Sequence, residues 1–207
     1  MCYNIRVDAT REEIAEYFRV NDVSLWPGPQ NRLTIGQTVP IIQGQPDQPA
    51  LGMMYWGFTP RWEKDPKGGM RPGNARAETL ASTPMFRQAF RERRMILPAT
   101  AFFEWIGEKG KKQLLPFRVG DQPIFGLPGV WDTWQLPDGT ERRSFATITC
   151  PPTLDVAAYH NRMPVILGQS QSARWLSPET DAKALLDLLV PYPEGRVTAY
   201  PAEAYKP

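Results

Sequence analysis

A β-rich domain carrying a few short helices is the fold this sequence predicts, and three observations predict it. Apolar residues recur with a period of two in several runs, among them Cys2 to Val7 and Arg143 to Cys150. Helical spacing appears only in brief stretches. The third is proline: 22 among 207 residues, spread without low complexity, roughly double the usual share. Proline at that density breaks a chain into short strands and shaped loops. The length suffices for one domain, residues 1–207, with its own core and no need of disulfide or metal staples.

The elements follow in order. Tyr3, Ile5 and Val7 alternate with Cys2, Asn4 and Arg6, as in a half-buried strand whose open face carries the second set. Thr10 and Glu13 form a capping box before Ile14, Tyr17 and Phe18, which predicts a helix over 11–19. Pro27-Gly28-Pro29 marks a loop over 24–32, and strands are expected at 38–43 and 51–58 around the turn Gly44 to Pro49. A long irregular segment, 59–73, leads to Asn74-Ala-Arg-Ala-Glu-Thr79. Thr83-Pro84 reads as N-cap and first position of a helix reaching Arg91. Met95 to Ile106 is strand-like, with a charged turn at Gly107 to Lys112 and a returning strand at Pro116 to Val119. Ile124 to Trp134, the turn Pro137-Asp-Gly139 and Arg143 to Cys150 continue the β pattern. A short helix capped by Thr153 ends near His160; a strand at Val165 to Leu167, helices at 170–176 and 181–190 and a strand at Val197 to Tyr200 close the chain.

Composition excludes several function classes. Two cysteines, Cys2 and Cys150, and one histidine, His160, are too few for a zinc site built from those residues. No charged leader precedes an apolar run, and no apolar run approaches the roughly 18 residues of a membrane span, so a soluble cytoplasmic protein is expected. A net charge of +2 does not announce a nucleic-acid binder, so such a role must rest on local charge.

Four places could carry chemistry. Removal of Met1 would leave Cys2 with a free α-amine beside its thiol, and such an aminothiol condenses with an aldehyde to an imine and then closes a thiazolidine ring. With an α-amine pKa of about 7.7 to 8.0, roughly 10 to 20 % of the amine is neutral at pH 7. The plain alternative is a small buried hydrophobe beside a start codon. Residues 61–76 hold five basic side chains, Arg61, Lys64, Lys67, Arg71 and Arg76, against Glu63 and Asp65, with Trp62 beside them. That pattern suits single-stranded nucleic acid, phosphates on cations and a base on the ring, although a solvated loop with a core Trp gives the same letters. Glu104 stands between Phe103 and Trp105: among apolar groups its carboxyl would carry protons near neutral pH, and on an edge strand it would face water. His160 alone reads as structural or catalytic, and Cys150 as core.

Taken together, Met1-Cys2, Trp56-Gly57-Phe58 with Pro60 and Trp62, Asn74 to Thr79, Phe86, Phe103-Glu104-Trp105, Trp131 with Trp134, and His160-Asn-Arg-Met-Pro-Val-Ile-Leu167 resemble the SOS-response-associated peptidase (SRAP) family, whose members act at abasic sites in DNA. The resemblance implies a single α+β domain, β-rich with short peripheral helices, and a groove for single-stranded DNA. It implies that Cys2 captures the ring-opened sugar aldehyde, with Asn74 holding the amine or sugar oxygen and Glu104 and His160 moving protons. Arg76 and Arg162 would contact phosphates, Trp62 would prop open stacked bases, and Trp105 and Arg71 complete the DNA-binding set. The implied partner is single-stranded DNA containing abasic sites, with no cofactor, metal or membrane; a monomer, nucleoid-associated when on DNA, is expected. Self-removal of Met1 and a lyase step belong to the same expectation. The alternatives are a Cys2/His160 thiol peptidase or amidohydrolase, and a single-stranded DNA-binding domain without chemistry. The chain departs from the family's usual residues at Tyr3-Asn4, Arg32, Ile35, Thr100 and Asn161. The first departure removes a phosphate contact or moves it to Arg6.

Overall fold

The computed structural model describes residues 4–64, 69–108, 111–136 and 138–200. In chain order these form β1 (Asn4–Val7), α1 (Arg11–Phe18), β2 (Gln30–Thr34), β3 (Thr38–Gln45), β4 (Gln48–Trp56), β5 (Asn74–Arg76) and a 3-10 turn (Ala77–Thr79). After these come α2 (Arg87–Glu92), β6 (Arg94–Ala99), β7 (Ala101–Ile106), β8 (Gln113–Val119), β9 (Phe125–Gln135) and β10 (Glu141–Cys150). The remainder is α3 (Leu154–Ala157), β11 (Met163–Pro164), α4 (Gln169–Leu176), α5 (Ala182–Asp187) and β12 (Val197–Ala199). The β-rich α+β class expected from the sequence is what the chain adopts.

Two sheets organise it. One has the order β12-β8-β7-β1-β2; in the other, β10, β4, β3, β6 and β9 pair in turn and β9 returns to β10, closing a five-stranded barrel to whose β10 both β5 and β11 add. The core fills both, with Trp56, Phe58, Phe90, Phe102, Phe117, Phe125, Phe145 and Trp175 fully buried. Burying each such ring is worth roughly 1.5–3 kcal/mol, which is why these aromatic positions fix the layering. Gly129 sits where β6 and β10 crowd β9; an added Cβ there would meet Met95 Sδ and come within 2.7 Å of the Ala146 carbonyl. Among the described residues no helix is long and apolar enough to cross a membrane.

Local signals translated well where nothing competed with them. The α1 capping box forms, Thr10 Oγ1 accepting from the Glu13 N–H at 3.2 Å and Glu13 Oε2 from the Thr10 N–H at 2.7 Å. Thr83, by contrast, caps nothing: its hydroxyl donates to the Thr79 carbonyl at 2.8 Å, and α2 begins only at Arg87. Residues 30–32, expected in a loop, belong to edge strand β2, whose only fully buried side chain is Leu33; pairing with β1, not amphipathic pattern, makes it a strand. The apolar run from Met95 to Ile106 is two strands in different sheets, β6 and β7, divided at Thr100. The Thr100 N–H donates to the Arg6 carbonyl at 2.8 Å and its Oγ1 accepts from the Asp8 N–H at 2.9 Å, so the chain changes sheet around a polar pin.

Candidate active site

Glu104 lies on β7, an interior strand between β1 and β8, opposite Leu115. It is 1 % exposed, so the water-facing alternative does not hold. Burial in apolar surroundings disfavours the charged form and pushes its carboxyl up to about 7. Alternate residues of a strand share a face, so Glu104 shares one with Phe102, which stacks on Phe117 of β8 at 5.0 Å. Tyr159, the neighbour of His160, packs edge-on against that same Phe117 at 5.6 Å. The segment bearing His160 therefore docks on the sheet face that carries Glu104.

A second group of expected residues meets across β5 and β10. Asn74 pairs with Thr147, whose hydroxyl donates to Asn74 Oδ1 at 2.6 Å, so the amide nitrogen is the donor side it presents. Arg76, exposed, pairs with Thr149 two residues on. The Thr149 carbonyl accepts from Arg162 Nη2 at 2.6 Å, while Nη1 and Nη2 grip the two Glu78 oxygens at 2.6 and 2.9 Å. Those bonds hold Glu78 below the usual carboxylate range. Arg162 is thus engaged by Glu78, and its main chain fixes the histidine: His160 Nδ1 lies 3.0 Å from both the Arg162 N–H and the Arg162 carbonyl oxygen. The neutral ring can accept from the one and the protonated ring can donate to the other, so both charge states have a partner. Partial burial lowers the His160 pKa, and burial pushes Cys150 up to about 12, an inert core thiol. Cys2 lies outside the described residues, as do Asp65 and Lys67. Among the described residues no group of three or more His, Cys, Asp and Glu side chains could hold a metal.

The loop expected to bind nucleic acid is anchored along its described parts. Arg61 donates through its N–H and Nε to Asp132 at 3.1 and 3.0 Å, and Trp134 Nε1 donates to the Glu63 carbonyl at 2.8 Å. The Arg71 guanidinium lies 5.7 Å from the Trp134 ring centre. Phe58 N–H reaches the Pro72 carbonyl at 3.0 Å and Trp56 Nε1 the Gly73 carbonyl at 2.8 Å. Held this way, the loop presents Trp62 at 58 % exposed, where a core Trp had been the alternative reading. Trp105 is also exposed, at 44 %.

Asp132 is the anchor that sequence reasoning passed over, though a carboxylate inside the apolar run Val130 to Trp134 is the same signal that singled out Glu104. It is buried and also faces Arg93 Nε at 3.2 Å. Removing one member of a buried ion pair strands the other charge, so Asp132→Ala is expected to cost about 3 kcal/mol and lower Tm by roughly 6–12 °C. Trypsin should then cut faster at Arg61 and Lys64. A melting temperature within 2 °C or so of wild type would contradict that role for Asp132.

Comparison with known proteins places the chain in a family. A curated relative from Bacillus subtilis (strain 168), abasic site processing protein YoqW, is 33% identical over 97% of this chain and 91% of its own. Abasic site processing protein YedK of Escherichia coli (strain K12) is 29% identical over 88% of this chain and 82% of its own. A crystal structure of a protein from Bacteroides thetaiotaomicron superposes with a TM-score of 0.83 at 27% identity, covering 96% of this chain and 91% of that one. The family described as SOS response associated peptidase (SRAP) matches residues 1–205, and the chain belongs to it.

Proposed function

We propose that this chain processes abasic sites by covalent capture: with Met1 removed, Cys2 traps the ring-opened aldehyde of an abasic site in single-stranded DNA as a thiazolidine. The observation that carries the reading is Glu104, a carboxyl 1 % exposed and raised to about 7, one residue along β7 from Phe103, the partner of Asn4. Asn4 is itself 3 % exposed. Two residues of chain reach about 7 Å at most, a short tether that supports pairing Cys2 with that carboxyl. The names of the relatives support the same substrate class.

The residues divide the work by their proton affinities. An α-ammonium of pKa about 7.7 to 8.0 gives its proton to a carboxylate of pKa about 7 at a cost of about 1 to 1.4 kcal/mol, whereas an ordinary exposed Glu would make that transfer a few hundred-fold less favourable. The freed amine adds to the aldehyde carbon; Glu104 returns the proton to the departing hydroxyl, and water leaves as the imine forms. Sγ then adds to the imine carbon and its proton passes to nitrogen, so aldehyde plus aminothiol becomes thiazolidine plus one water. As the C1–ring-oxygen bond breaks, the other ring nitrogen of His160, whose Nδ1 is cradled by Arg162, takes the proton released by the C1 hydroxyl and delivers it to the ring oxygen, so furanose becomes open aldehyde with no net proton change. Asn74 donates its amide N–H to the sugar oxygen, oriented by Thr147. Arg76, Arg71, Trp62 and Trp105 line the approach of the strand, phosphates on the cations and bases on the rings. Arg162 acts through its grip on Glu78 and His160, and a phosphate reaching it would have to displace Glu78.

Protein lacking Met1, incubated with a single-stranded oligonucleotide carrying one abasic site, is expected to give a heat-stable band on a denaturing gel. Its intact mass should equal protein plus DNA minus one water, and the undamaged oligonucleotide should give no band. Turnover of a peptide or amide with no adduct would instead identify a thiol hydrolase, and binding without any adduct a plain single-strand binder.

A further inference from the structure

The arginines around the site are mostly committed. Arg162 is paired with Glu78, Arg61 and Arg93 with Asp132, and Arg6 with Asp8 at 2.8 Å; Arg94 is spent on the carbonyls of Phe90, Arg91, Trp175 and Ser177. Arg32 on edge strand β2 differs. It is exposed, and among the described residues its partners are neutral: Nε donates to Asn4 Oδ1 at 2.8 Å and the guanidinium lies 5.9 Å from the Trp105 ring centre. Neither partner cancels its charge. One hydrogen bond at Nε and one cation–π contact hold the guanidinium in place and leave the terminal nitrogens as the fork that suits a phosphate.

We propose that Arg32 is the cation that receives the phosphodiester next to the captured nucleotide, a binding and specificity residue; this rests on the capture reading above for which nucleotide that is. Asn4 is Arg32's partner and lies two residues from Cys2, so the cation stands beside the tether of the reacting end. Trp105 directly follows Glu104 and points to the opposite face of β7. A strand crossing the end of that sheet sets its sugar toward Glu104 and its phosphate over the rim toward Arg32, with a base on the exposed part of the Trp105 ring. Arg6, on the neighbouring strand β1, is neutralised by Asp8 and cannot substitute for it at equal strength.

The test measures two things on wild type, Arg32→Ala and Arg32→Lys. The first is affinity for undamaged single-stranded DNA by anisotropy as a function of salt; the second is the rate of adduct formation at saturating abasic DNA. Arg32→Ala is expected to weaken affinity about tenfold at low salt and to reduce the slope of log K against log salt by about 0.7, the loss of one phosphate contact, with the saturated rate within twofold of wild type. Arg32→Lys should keep the slope. An unchanged slope in Arg32→Ala overturns the proposal. So does a lower saturated rate with unchanged slope, which would make Arg32 a positioning residue acting through Asn4. A wild type that forms no adduct but shows the Arg32-dependent slope would remove the capture reading and leave the phosphate contact standing.

Discussion

Cys2→Ala is expected to abolish the heat-stable adduct with abasic DNA altogether while leaving affinity for undamaged single-stranded DNA within about twofold. The alanine keeps the α-amine, so the imine still forms; what is lost is the thiol that closes on it. Because that thiol is held on the same residue as the imine nitrogen, ring closure proceeds at an effective concentration of roughly 10⁵ M or more, which no thiol or water from solution approaches. Without it the imine reverts by hydrolysis or proceeds to strand cleavage. Borohydride added during the reaction should therefore trap a band with Cys2→Ala that disappears when the reductant is omitted, whereas wild type needs no reductant. A band of undiminished heat stability in Cys2→Ala without borohydride would remove the thiol from the chemistry.

How far the fold was legible depended on how local its causes are. The α1 capping box lies within four residues and reads correctly, because donor and acceptor are fixed by the helix itself. Thr83 carries an equally good local signal and misleads, since the Thr79 carbonyl captures its hydroxyl. Met95 to Ile106 reads as one apolar strand because period and hydrophobicity do not say which sheet a residue joins; the break at Thr100 is made by Arg6 and Asp8, more than ninety positions away. In the site, Glu104 was legible as a charge set among large apolar groups. Its burial was not, being imposed by β1 and β8 on either side. The Arg162–Glu78 and Arg32–Asn4 pairs, 84 and 28 positions apart, left no trace in the sequence, because each partner taken alone reads as an ordinary polar residue. Sequence thus revealed which residue types could react, and tertiary contact decided which cations are already satisfied.

Glu104→Gln should slow adduct formation by about 100-fold or more at pH 7 and at the same time stabilise the protein in alkaline solution. The kinetic half follows from the proton transfers assigned to the carboxyl: wild-type rate should climb with pH up to about 7, where Glu104 ionises, and then level. In the variant the bend should move toward pH 8, the range of the amine alone. The stability half follows from linkage. Burial raises the folded carboxyl from 4.5 to about 7, so between those values the folded protein keeps a proton that the unfolded chain has released. Stability of the wild type therefore falls as pH rises through that window and stays reduced above it. Glutamine carries no charge to desolvate, so at pH 8 the variant should be more stable by about 1 to 3 kcal/mol, while at pH 4 the two should melt together. Thermal melts at the two pH values and capture rates across pH 6 to 8 test both halves. Equal rates across that range, or a variant less stable at pH 8, would mean that Glu104 is a structural residue whose charge the fold tolerates, and the acid-base assignment would have to pass to His160.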